Sequence, residues 1–280
     1  MKSLLKILCL IPLFCSLAAM GASPVGLSGY YKNFTVAIVP PGVQDAPSLY
    51  SSESPLGLVN NRLRLNLSAR LHQRFSFTAA YDLSPRIQDP SLFQGQIFIT
   101  GLDPFHYRVA DLPSRLYPAE QKDVRSFVLL QNLDRAFFTF KTGWADLDIG
   151  RQAIAWGSAR VINPTDIIAP FSFEELDIED RIGVDAVRLR VPLGFMAELD
   201  GGVVFGQDFS WPESACYLRG KFYFAGTDVS LLLIDFQQNL LVGLDLARSI
   251  GGAGVWCEAA GVIADGSQRP HIEQATNYVR

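Results

Sequence analysis

Arg62-Leu63-Arg64-Leu65-Asn66-Leu67-Ser68-Ala69-Arg70-Leu71 is the stretch that decides the fold of this chain. Leucine or alanine holds every odd position, and Arg, Asn or Ser holds every even one. A period of two belongs to a β-strand with one apolar and one strongly polar face. After His72, Gln73 and Arg74 the pattern resumes, with Phe75, Phe77, Ala79, Tyr81 and Leu83 against Ser76, Thr78, Ala80 and Asp82. Two such strands joined by a tight polar turn make a hairpin.

The same design recurs along the chain. Ala136, Phe138 and Phe140 oppose Arg135, Thr139 and Lys141, and beyond a Thr142-Gly143-Trp144 turn Ala145, Leu147 and Ile149 oppose Asp146 and Asp148. Val187, Leu189 and Val191 oppose Arg188 and Arg190; past the next turn Phe195, Ala197, Leu199, Val203 and Phe205 oppose Glu198 and Asp200. Further strands read over 28–38, 216–225, 228–236, 239–247 and 253–263, for a total of about eleven. Strands of about ten residues are long enough to cross a bilayer when tilted. The pattern therefore predicts an all-β, antiparallel transmembrane β-barrel, with apolar residues towards lipid and Arg and Asp towards water. A soluble sandwich would need a second apolar layer to cover the greasy face, and the chain offers no amphipathic helices for that. Tyr30, Tyr31, Tyr81, Trp144, Trp211, Tyr223 and Trp256 fall near predicted strand ends, where an interfacial girdle would stand.

Composition narrows the class. The chain has 280 residues with 24 Lys+Arg against 28 Asp+Glu, a formal charge of -4, which excludes a basic field suited to nucleic acid. Hydrophobic residues reach 49% while charged ones reach only 19%, yet beyond the N-terminus there is no apolar run of about 18 residues to make a membrane helix. The N-terminus reads as a secretory signal peptide over 1–22: Lys2 and Lys6, an apolar core over 7–14, then Ala18, Ala19, Gly21 and Ala22. The exported domain would span 23–280. Neither Cys9 nor Cys15 has the setting of a lipid-anchor site. Cys216 and Cys257 remain; an exported chain could pair them, or they could be small apolar residues on lipid-facing positions.

Two segments interrupt the alternation. Residues 84–131 hold Pro85, Pro90, Pro104, Pro113 and Pro118 and a mixed aromatic and charged centre at 105–111, with a short strand conceivable over 96–100. Residues 152–182 follow Gly150-Arg151-Gln152 and contain Trp156-Gly157 and Asn163-Pro164-Thr165-Asp166, with Gly183-Val184-Asp185 just beyond. The string GRQAIAWGSARVINPTDIIAPF, with Asn132-Leu133-Asp134-Arg135-Ala136 upstream and Arg181-Ile182-Gly183-Val184-Asp185-Ala186 downstream, resembles a group of porin-like bacterial outer-membrane barrels. These share a GRQ…WG…NP.D signature and are mostly of unknown function; the resemblance covers about 133–193. It implies an outer-membrane barrel and leaves the solute open. Read physically, Gly150 ends a strand, Asn163-Pro164 makes a turn, and Ser172-Phe173-Glu174-Glu175 has capping-box spacing for a short helix inside the barrel. Arg160, Asp166 and the acidic run 174–180 would pair if buried in a lumen, or form a solvated surface loop.

The chain ends Tyr278-Val279-Arg280 without the terminal aromatic strand usual in such barrels, so the expectation is a barrel incomplete at the C-terminus. Its three histidines, His72, His106 and His271, have no metal-ligand spacing, and neither a phosphate loop nor a nucleophile elbow is present. The reading is therefore no enzyme, no metal and no cofactor. Arg62, Arg64, Arg70, Arg135, Arg151, Asp166, Arg188 and Arg190 are the candidates for lining or constricting a pore; Trp156, Asn163 and Pro164 are the candidates for anchoring the inner loop. An arginine-lined lumen favours anions, but Asp146, Asp148, Glu198, Asp200, Asp245 and Glu258 share that face, so separated positive and negative sectors are expected. The expected partners are outer-membrane lipid and small hydrophilic solutes that diffuse through, with no nucleic acid; a homo-oligomer is left open. The competing readings are a non-conducting barrel for surface display, adhesion or polysaccharide export, and a soluble periplasmic β-protein.

Overall fold

A computed structural model of the protein describes residues 25–38, 56–90, 107–119, 122–157, 163–169 and 181–264. The expected signal segment, the short strand at 96–100, Arg160, the capping-box helix with its acidic run, His106 and His271 lie outside the described residues.

Among the described residues twelve strands follow one another, with a 3-10 turn at Gln207–Phe209. They are β1 (Val25–Ile38), β2 (Leu56–His72), β3 (Phe75–Gln88), β4 (Arg115–Tyr117), β5 (Phe127–Lys141) and β6 (Asp146–Ala153) in the first half. The second half holds β7 (Gly183–Pro192), β8 (Ala197–Val204), β9 (Ala215–Phe224), β10 (Thr227–Phe236), β11 (Asn239–Ile250) and β12 (Ala253–Ile263). Each strand hydrogen-bonds to the next in a single antiparallel meander, except that the short β4 pairs with β5 off the main path. The all-β antiparallel architecture read from the alternation is the one observed. The pairing runs further than the polar composition suggested: β3 continues to Gln88 and β5 starts at Phe127, so strand ladders occupy both ends of the segment read as a loop over 84–131. Pro85 fits within β3 because its partner Leu129 and the neighbouring pairs sustain the ladder without its N–H.

The main path has eleven strands, so β1 and β12 run in the same direction. Among the described residues they are not paired, and the sheet is open. A direct β1–β12 ladder would be parallel; antiparallel closure needs an odd number of further strands.

The two ends of the wall differ. The β2–β3, β5–β6, β7–β8, β9–β10 and β11–β12 connections are tight turns at one end, with Trp144, Phe195 and Phe224 exposed there. The β3–β5, β6–β7 and β8–β9 connections at the other end are longer. Tyr81, by contrast, sits mid-strand in β3, where its hydroxyl donates to Gln131 Oε1 at 2.6 Å.

The register sets Leu65, Tyr81 and Leu133 on one face in adjacent strands, and Leu199, Gly220, Leu231 and Leu244 on the same face further round. That face is apolar and open: Leu65 is 46% exposed, Phe138 40%, Leu218 47% and Leu231 50%. Cys216, opposite Val203, and Cys257, opposite Leu246, stand on this apolar face, three strands apart and unbridged. The opposite face carries the charges and the main buried cluster. There Ile154, Trp156, Ile168 and Ala169 of the β6–β7 connection pack with Val184, Ala186, Val204, Ala215, Tyr217, Leu232, Ile234 and Leu241.

Gly150 shows how tightly neighbouring strands approach. Its φ of +120° is open to glycine, and a Cβ there would lie 2.3 Å from the Ala136 carbonyl oxygen. Gly150→Ala is expected to destabilise the wall by about 2 kcal/mol or more, read as a lower temperature for loss of the compact gel band. Gly220→Ala, whose Cβ meets nothing within 4 Å, should leave that temperature unchanged.

Candidate functional site: a charged inner wall

Alternation delivers charges from every strand to one face, and their desolvation there requires partners. Asp82 of β3 receives a two-pronged pair from Arg62, with Nη2–Oδ2 at 2.9 Å and Nε–Oδ1 at 3.2 Å, and a second from Arg64 at 3.1 Å. Arg64 also reaches Asp134 at 2.6 Å, which Arg135 meets at 2.8 Å. Asp134 sits where β5 bulges: Ala80 pairs with Arg135 and Tyr81 with Leu133, so Asp134 is the extra residue. The bulge lets adjacent Asp134 and Arg135 engage the same network, which strict alternation forbids. The second Asp134 oxygen accepts the Gly183 N–H at 2.9 Å, fixing the start of β7. Gly183 is required by that approach, since a Cβ there would lie 1.8 Å from the Asp134 carbonyl oxygen.

A second knot forms around Arg151. Its guanidinium donates to both Asp185 oxygens, Nε–Oδ1 at 2.8 Å and Nη2–Oδ2 at 2.9 Å, and to Asp111 at 2.9 Å. It also caps the Leu133 and Ala110 carbonyls. Arg108 binds Asp111, the Asn132 side chain and the Gly183 carbonyl. Residues 107–111 are thereby strapped across β5, β6 and β7. Arg108 and Arg151 hold the Asp111 carboxyl below the usual carboxylate range despite its partial burial.

A third group centres on Asp200, 1% exposed, which Arg188 grips at 2.9 and 2.6 Å. The Tyr217 hydroxyl donates to it at 3.2 Å and the Trp156 Nε1–H points to it at 3.5 Å. Trp156 packs its ring on Tyr217 with centroids 4.6 Å apart. Beside this group Arg190 and the Thr139 hydroxyl both reach Asp148.

Asn163-Pro164-Thr165-Asp166 is a tight turn, closed by the Asp166 N–H donating to the Asn163 carbonyl at 3.1 Å, with Pro164 exposed at its apex. It docks through Thr165, whose N–H and hydroxyl both donate to Glu258 Oε1 of β12, at 3.0 and 2.6 Å. Asp166, 3% exposed, pairs with Arg181 at 2.6 Å. Burial pushes its carboxyl up to about 7, with Arg181 opposing and Glu258 adding to the rise.

Among the predicted pore-lining residues, Arg62, Arg64, Arg135, Arg188 and Arg190 thus stand on the charged face, each committed to a carboxylate. Arg70 stands exposed near the tight-turn end, Arg151 is buried in the strap, and Asp166 is buried within the inner turn. Trp156, Asn163 and Pro164 all belong to the segment that folds onto the wall. Sequence reasoning missed Asp111, Asp134, Asp185 and the Thr165–Glu258 contact. The broken alternation at Leu133-Asp134-Arg135-Ala136 was the available signal for the bulge. The register also sorts charge by sector. Lys32, Arg62, Arg64, Arg70, Arg86 and Arg135 outweigh Asp82 and Asp134 on β1 to β5. Asp146, Asp148, Glu198, Asp200, Asp228, Asp245 and Glu258 outweigh Arg188, Arg190, Arg219 and Lys221 on β6 to β12.

A crystal structure of a BenF-like porin from Pseudomonas fluorescens Pf-5 is similar to this chain, with a TM-score of 0.47 and 11% sequence identity. The similarity covers 89% of this chain, which spans 60% of that porin's length. No protein-family model and no curated protein matches the sequence.

Two outcomes test this geometry. Asp134→Ala takes a buried carboxylate from two arginines and an amide, so a loss of about 3 kcal/mol is expected, and a double-mutant cycle with Arg64→Ala should show strong coupling. The Asp166 carboxyl, raised from 3.8 to about 7, binds its proton more tightly in the docked turn than free. Docking is therefore strongest at acid pH, weakens from about pH 4 to about pH 7 and is level above. Hydrogen-exchange protection of the Thr165 and Asp166 amides, corrected for intrinsic exchange, should fall across that window and become flat in Asp166→Asn.

Proposed function

We propose that this chain builds the wall of a bacterial outer-membrane channel through which small hydrophilic solutes pass by diffusion. One observation carries the reading: a continuous sheet with one largely apolar face left open, while its other face holds a lattice of ion pairs. Soluble monomers rarely expose apolar patches beyond a few hundred Å², whereas lipid outside and water inside satisfy both faces at once. The predicted signal peptide supplies the export route, and lipid is the partner of the apolar face.

Residues 107–111, 154–157 and 163–169, lying on the wall, would narrow the passage. The opposed cationic and anionic sectors would set a field across it, orienting dipolar solutes rather than selecting one sign outright. A non-conducting barrel, used for display or polysaccharide export, is the second reading. It is favoured by the apolar packing of Ile154, Trp156 and Ile168 against the inner wall, which is the packing of a plug.

Protein recovered from outer membranes should shift in gel mobility on boiling and give stepwise conductance in planar bilayers. Thr165→Val, which removes one of the two bonds to Glu258, should increase the open-channel noise or conductance. A heat-dependent shift without conductance would favour the plugged barrel, and absence from the membrane fraction would overturn the membrane reading altogether.

A further inference from the structure

At the tight-turn end, the β2–β3 hairpin, the start of β1 and Lys141 enclose a cleft of about 500 Å³. Arg70, Arg74, Lys141 and His72 supply its basic groups; Phe75 and Phe77 border it, with their rings packed on Phe138 on the apolar face. Among the described residues no carboxylate lines the cleft. The contrast with the rest of the inner wall is sharp. There every arginine named as buried is held by an aspartate, whereas Arg70, Arg74 and Lys141 take part in no ion pair among the described residues. Asp146 stands opposite Lys141 in the β5–β6 register, yet the two form no ion pair. The ladder shifts between Arg70 and His72, and His72 Nδ1 accepts the Arg74 N–H at 3.3 Å, leaving Nε2 as an outward donor.

Three uncompensated cations gathered round one cleft repel each other, and a multiply charged oxyanion relieves that repulsion through charge-assisted hydrogen bonds. Two arginine forks beside an ammonium suit the several oxygens of a phosphate better than a single carboxylate. We propose that this cleft binds a phosphate group, borne either by an anionic phospholipid headgroup at the membrane surface or by a phosphate ester in solution. The proposal does not require that the wall conduct.

The test uses the full chain, refolded and verified by its heat-dependent gel shift. Isothermal titration with inorganic phosphate reads the free anion. Native mass spectrometry after exchange from bicelles of phosphatidylglycerol or of phosphatidylcholine reads the headgroup. Binding in either assay, weakened about tenfold or more in Arg70→Gln/Arg74→Gln/Lys141→Gln and largely kept in Arg70→Lys/Arg74→Lys, supports the site. Phosphate heat assigns a soluble ester, and selective retention of phosphatidylglycerol alone assigns the lipid. Neither signal in protein with a normal gel shift, or equal binding by the folded triple-Gln variant, overturns the proposal.

Discussion

Asp134 is the residue on which the inner wall depends. It is 2% exposed, and it ties Arg64 of β2, Arg135 of its own strand and the first amide of β7 into one knot. A carboxylate taken that far from water is tolerable only when charge and hydrogen bonds replace its hydration. The β5 bulge makes that replacement geometrically available, because it adds a residue to the charged face where alternation would have supplied an apolar one. The approach of Gly183 follows from the same knot, and the Arg151–Asp185 pair forms next to it along β6 and β7.

From that centre the wall divides into two regimes. Residues 107–111 are strapped over β5, β6 and β7 by arginine forks, which are directional and rigid. Residues 154–157 and 163–169 are held over β7 to β12 chiefly by apolar packing, with the Thr165–Glu258 bonds and the Asp166–Arg181 pair at the turn. Apolar packing lacks direction and a carboxyl raised to about 7 changes charge near neutrality, so this second segment is the part of the inner wall whose hold responds to conditions.

The charges do not mix evenly. Cations gather on β1 to β5 and carboxylates on β6 to β12, while most of the buried ion pairs join neighbouring strands within a sector. Local pairing meets the cost of desolvation, and the surplus of each sector leaves opposed fields on the two halves of the wall. The open edges of β1 and β12 run the same way, so the wall closes antiparallel only with an odd number of further strands.

The sequence alone determined the strand class, the assignment of faces and several of the tight turns. Each of these follows from a period of two and from local turn residues, which neighbouring positions specify by themselves. It also showed that Arg62, Arg64, Arg188 and Arg190 share a face with Asp148 and Asp200. Only the tertiary structure decided which arginine meets which carboxylate, because that depends on register between strands as far apart in sequence as Arg64 and Asp134. It likewise decided that Arg151 serves a strap from another loop, and that Thr165 finds Glu258 ninety-three positions away. Such partners are selected by burial and cross-strand geometry, which no periodicity within a single strand records.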